Sequence, residues 1–222
     1  MGFVALYFLI IFLGLGIGGY FILQKEFPAS DPLKLLNSYL LFAILGDLIF
    51  RYLLQKLPIM NIKPLLILPI KRNKLVHYVL GKSAFSVFNI LGLFFYIPFS
   101  FVLIKEGYNT VGVLGWLFSL VLSIQSANLL NFLINKNNKY LIVIAIILLI
   151  LVCLHRFGFA NIIGLEGSFF DFIYQYPIYS ILGIMVLALL YLANYNLLRK
   201  QVYLDETVQA KEIKKGLELL LQ

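Results

Sequence analysis

QKLPIMNIKPLLILPIKRNKLVHYVLGKS, residues 55–83, is the stretch whose reading decides the fold. It carries Lys56, Lys63, Lys71, Arg72, Lys74 and Lys82 and no acidic residue. Its apolar pieces, 57–62 and 65–70, fall far short of the roughly 20 residues a helix needs to cross a bilayer. Pro58, Pro64 and Pro69 each remove an amide donor and oppose one continuous helix. The stretch therefore reads as a cytoplasmic segment lying partly against the membrane, with short helices turned toward a partner. The plainer alternative is a basic loop that only sets orientation.

On either side of it the chain is apolar. Of the whole, 62% is hydrophobic and 13% charged, against about 25% charged in soluble domains. The expected fold class is all-α, a polytopic, multi-pass membrane protein. A net charge of +8 would point to nucleic acid in a soluble chain. Here the basic residues flank apolar runs, so the lipid bilayer is the expected partner and nucleic acid is not.

Six transmembrane helices are predicted, at about 3–23, 34–54, 84–104, 110–134, 140–154 and 178–198. Together they make a six-helix domain over residues 1–200. In the first, Gly14 and Gly18 stand four apart, with Gly16 and Gly19 nearby, a spacing that admits a close helix neighbour. Pro98 is expected to kink the third. Residues 157–177, FGFANIIGLEGSFFDFIYQYP, are aromatic and glycine-broken. They are expected to form outer interfacial or re-entrant helices. Residues 201–222 form a polar tail in which Ile213, Leu217 and Leu220 share a helical face. Lys and Arg concentrate in 55–83, 136–139 and the tail, while the alternate loops are balanced or acidic. That alternation places both termini in the cytoplasm.

Polar residues inside the spans are the intramembrane candidates. Asp47 and Arg51 stand i,i+4 and share a helix face. The pair reads either as a structural ion pair or as a gating or translocation element, since ionisable residues at depth are costly. Gln125, Asn128 and Asn131, with Asn135, fall within about a third of the helix circumference at 100° per residue. Such an amide stripe either joins helices by hydrogen bonds or lines a polar cavity.

Catalytic signatures are not found. Gly81-Lys82-Ser83 mimics the end of a P-loop, but Val76 stands where the first glycine is required. No ATPase site is expected, so the chain reads as no enzyme. His77 and His155 fall on opposite predicted sides and cannot share a metal. No catalytic residue, metal site or cofactor is expected. His77, beside Lys74, reads as a headgroup or partner contact.

The order of parts resembles the transmembrane subunit of an ABC-2-type exporter. The shared features are six helices with both ends inside, a basic loop with short helices after the second, and broken interfacial helices between the fifth and sixth. Residues 55–83 also resemble a bacterial family of unknown function grouped with these permeases. The resemblance implies a subunit of the bacterial inner membrane that works as a homodimer or heterodimer with a second permease unit. It also implies a separate ABC ATPase subunit docked on a coupling-type loop. The residues expected to make that contact are Leu57, Ile59, Met60, Lys63, Leu65 and Leu66, with Lys71, Arg72 and Lys74 positioned on headgroups. The family's amphipathic helix ahead of the first span is not expected here, because Met1 almost begins the apolar run. The alternative function is a non-transport membrane scaffold or assembly factor that binds a cytosolic partner through the same loop.

Overall fold

The computed structural model describes residues 2–55, 72–135 and 162–199, together with 142–143, 145–146, 149–150 and 153. Every element among the described residues is helical. In chain order these are α1 (Gly2–Glu26), α2 (Pro32–Leu54), α3 (Arg72–Ala84), α4 (Val87–Lys105), α5 (Thr110–Asn135) and α6 (Ile162–Gln175). The last is α7 (Pro177–Arg199), whose first turn, Pro177–Ser180, is a 3-10 helix. Among the described residues five helices are long and apolar enough to cross a bilayer: α1, α2, α4, α5 and α7. The fifth expected span, 140–154, lies mostly outside the described residues; its described residues are helical and exposed.

Local chemistry sets the helix ends. Asp31 caps α2 by accepting from the Leu33 amide at 2.9 Å, with Pro32 behind it at the first helical position. Ser86 caps α4 in the same way through the Asn89 amide. At the far end of α4, Gly107 has φ +91°. The Gly107 amide bonds to the Ile104 carbonyl and the Tyr108 amide to that of Leu103. This is a Schellman closure, which needs a left-handed residue and so favours glycine. α4 runs through Pro98 without ending.

α1 packs chiefly on α4, and α6 chiefly on α2. The close approach on α1 comes at Gly16, with Gly19 in ordinary contact with Phe99 one turn on, and not at the expected pair Gly14 and Gly18. A Cβ on Gly16 would lie 2.5 Å from the Phe95 carbonyl oxygen, whereas one on Gly14 would meet nothing within 4 Å. The reason is rotational. α1 carries two glycine faces, and the position of α4 selects one. In lipid, where apolar surface gains little by leaving the solvent, such close backbone packing is a main source of helix association.

Two cores follow. Tyr20, Leu40, Phe99, Trp116 and Phe170 join α1, α2, α4, α5 and α6. At the opposite end of the bundle, Leu75, Val76, Val79 and Leu80 of α3 pack on Leu129 and Phe132 of α5 and Leu198 of α7. α3 is therefore docked along one face. Its spacing of apolar positions, i, i+1, i+4 and i+5, is that of a helix with one buried stripe. Lys74, His77, Tyr78 and Lys82 occupy the exposed face.

Candidate functional site

The described polar side chains gather where α2 ends, α3 meets α4 and α5 approaches its last turns. Arg51 is 1% exposed, and its Nε donates to Asp47 Oδ2 at 2.5 Å. Its terminal nitrogen donates to Asn89 Oδ1 at 2.6 Å, and its guanidinium carbon lies 5.7 Å from the Phe88 ring centroid. The Asp47 side chain retains 34% exposure. The cation is thus sealed in the protein while its carboxylate keeps access to the surroundings. Arg cannot shed its charge, so its three partners are what make burial tolerable.

Asn89 extends the network. Its amide nitrogen donates to the Ala84 carbonyl at 2.8 Å and to Gln125 Oε1 at 3.3 Å. Ala84 is the last residue of α3, so its carbonyl lacks an intrahelical partner, and Asn89 supplies one. One turn further along α5, Asn128 donates to Ser83 Oγ at 3.0 Å and accepts from Gln55 Nε2 at 3.0 Å. Gln55 Oε1 accepts from Asn131 at 3.2 Å, and Asn135 donates back to Asn131 Oδ1 at 2.8 Å. On α7, Asn194 donates to the Leu129 carbonyl at 3.0 Å. Four helices and the α3–α4 corner are therefore cross-linked by amides, with one ion pair at the centre.

Gln55 follows the last turn of α2, and Ser83 lies in the last turn of α3. Both bond to the one Asn128 side chain. The two ends of the stretch 55–83 are thus tied to a single side chain on α5.

The expected site residues fall as follows. Asp47, Arg51, Gln125, Asn128 and Asn131 are brought into one network. Leu57, Ile59, Met60, Lys63, Leu65, Leu66 and Lys71 lie outside the described residues, as do His155 and the 201–222 tail. Arg72 begins α3, and Lys74 is on its exposed face. His77 hydrogen-bonds the Tyr191 hydroxyl and stacks on Tyr195 with centroids 5.0 Å apart. The sequence reading missed Gln55, Ser83 and Asn89 as network members. Ser86, one turn before Asn89, was the available signal of a helix start there.

A second polar cluster holds the other end. Asn37, fully buried, donates to Asp171 Oδ1 at 2.6 Å and accepts from Trp116 Nε1 at 2.7 Å. It ties α6 to α2 and α5. Nearby, the Tyr108 hydroxyl donates to Asp31 Oδ1 at 2.7 Å. Burial, then the bond to Asp31, raises the Tyr108 phenol above its ordinary range, so it stays a donor. Asn37→Ala is expected to cost about 1–2 kcal/mol, since two intramembrane hydrogen bonds are lost at roughly 0.6 kcal/mol or more each. Thermal unfolding in detergent checks it, with a shift of Trp116 emission as the local readout.

Among the described residues no three His, Cys, Asp or Glu side chains gather as a metal site. The arrangement is a hydrogen-bonded corner that joins α2, α3, α4 and α5. A sequence profile described as "Family of unknown function (DUF5687)" matches residues 1–219. The chain belongs to that family. No curated protein and no solved structure matches it.

Proposed function

We propose that this member of a family of unknown function is the permease subunit of an ABC-2-type exporter. In this reading it lies in the bacterial inner membrane with six spans and both termini in the cytoplasm. It pairs with a second permease unit, and a separate ABC ATPase binds the 55–83 loop through Leu57, Ile59, Met60, Lys63, Leu65 and Leu66. Lys71, Arg72 and Lys74 hold the segment at the headgroups. ATP energy enters only through that contact.

The observation that supports it best is the double tether to Asn128. A loop that only set orientation would need no such anchorage. Here Gln55 and Ser83 are held by one side chain, and Asn89 and Arg51 continue the chain of bonds into α4 and α2. Force applied to the loop reaches the membrane helices because its ends cannot move independently. A contiguous hydrogen-bond network of this kind is one route by which coupling between sites is carried.

The test is binding to the cognate ATPase. Lys63→Glu combined with Ile59→Ala and Met60→Ala is expected to abolish pull-down and ATPase stimulation while helicity stays unchanged. Undiminished binding and stimulation by that triple variant would remove the reading.

A further inference from the structure

Between α2 and α4, two polar side chains keep oxygens that no described residue satisfies. Arg51 Nε donates to Asp47 Oδ2. Among the described residues nothing donates to Oδ1, although an ionised carboxylate offers about four acceptor sites. On α4, Tyr96 packs edge-on against Trp116, with ring centroids 6.2 Å apart. Its hydroxyl is turned inward, within reach of the Asp47 charge. Among the described residues that hydroxyl has no hydrogen-bond partner, Asp47 included. Buried polar groups rarely go without a partner, and polar atoms that are near but not bonded are commonly bridged by water.

We propose that Asp47 and Tyr96 form a water-binding site inside the membrane. The Tyr96 hydroxyl donates to the water, and the water donates to Asp47 Oδ1. Asp47 stands eight residues before Gln55, the cap that closes α2. At 1.5 Å per residue that is about 12 Å from the helix end, too deep for so short a side chain to reach the headgroups. Part of the carboxylate is open, and hydrocarbon does not solvate a carboxylate. The expected span 140–154 cannot supply the missing donor midway along its length. Its polar side chains are Tyr140 and Cys153, both near its ends. A cation is the wrong ligand, because Arg51 already balances the charge of Asp47. Water is a neutral donor and gains here the two partners it needs to stay. It keeps the carboxylate ionised opposite Arg51. The inference needs the placement of Asp47 and Tyr96 alone and stands whether or not an ATPase drives the chain.

The experiment is radiolytic footprinting of the full chain in lipid nanodiscs. X-rays turn water into hydroxyl radicals, which oxidise the side chains that the water touches, and peptide mass spectrometry reads the positions. Two phenylalanines of α4 serve as references: Phe94 is exposed on the outside of the bundle, and Phe99 is fully buried. Tyr96 is expected to oxidise about tenfold faster than either, since water stays only where polar partners hold it. The double variant Asp47→Leu, Arg51→Met removes the acceptor. It is expected to bring Tyr96 down to the rate of Phe94, with unchanged helicity as the check on folding. Tyr96 oxidising no faster than Phe94 in the unaltered chain overturns the proposal. Undiminished oxidation of Tyr96 in the folded double variant overturns it as well.

Discussion

Asp47→Ala is expected to destabilise the fold by about 3–5 kcal/mol, the cost of leaving a buried charge without its partner. The asymmetry of the pair drives the effect. Arg51 is 1% exposed and the Asp47 side chain 34%. A guanidinium cannot lose its proton, so Arg51 would remain a cation among Asn89 and Phe88. Arg51→Met is expected to cost less, because a carboxylate with access to the surroundings can be solvated or protonated. The double variant Asp47→Leu, Arg51→Met is expected to recover most of the loss, leaving mainly Asn89 Oδ1 without a donor. Denaturation followed by far-UV circular dichroism in detergent micelles measures all three. The double variant also separates the two meanings of the pair. If the pair is only structural, recovered stability brings recovered ATPase stimulation. If it carries motion from the α3–α4 corner, stability returns and stimulation does not.

Gly16→Leu is expected to cost about 3 kcal/mol, the upper part of the range for overpacking. The obstacle is backbone: the Phe95 carbonyl oxygen stands 2.5 Å from where the Cβ would be, with Pro98 Cβ at 3.2 Å. A carbonyl held in a helix ladder cannot swing aside as a side chain can, so α1 must separate from α4. Gly14→Leu is the matched control, since that position meets nothing within 4 Å, and it is expected to shift stability by less than about 0.5 kcal/mol. The same denaturation assay compares them. Equal losses at positions 14 and 16 would mean that α1 packs by its other face.

These two sites also show how much could be read from the sequence. The i,i+4 spacing of Asp47 and Arg51 and the stripe of Gln125, Asn128 and Asn131 are local consequences of helix geometry. Both were legible before any tertiary contact was known. Their partners were not. Asn89 is 38 residues from Arg51 and Ser83 is 45 from Asn128. Each pairing depends on where the α3–α4 corner comes to rest. The glycines of α1 offered two faces, and only the position of α4 distinguishes them. Trp116 had to find an acceptor once buried, but nothing in its surroundings names Asn37, which lies on another helix. The reading of 55–83 expected short helices, and α3 is one, in the proline-free part after Pro69; that its apolar stripe packs on α5 and α7 was not legible. The aromatic stretch 157–177 contains a 14-residue helix, Ile162–Gln175, that ends before Pro177. Gly164 and Gly167 suggested breaks, but both lie inside that helix, and Gly167 is where Ser38 comes close.

The central claim is that α3 and the loop before it face the compartment where ATP is hydrolysed, and a sidedness measurement tests it most directly. Cys153 is the only cysteine, so Cys153→Ser supplies a clean background for Lys63→Cys and Asn73→Cys. Asn73 is exposed on α3. A membrane-impermeant maleimide is predicted to label both positions in inverted membrane vesicles and neither in intact cells. Labelling of either position from outside intact cells would contradict the account.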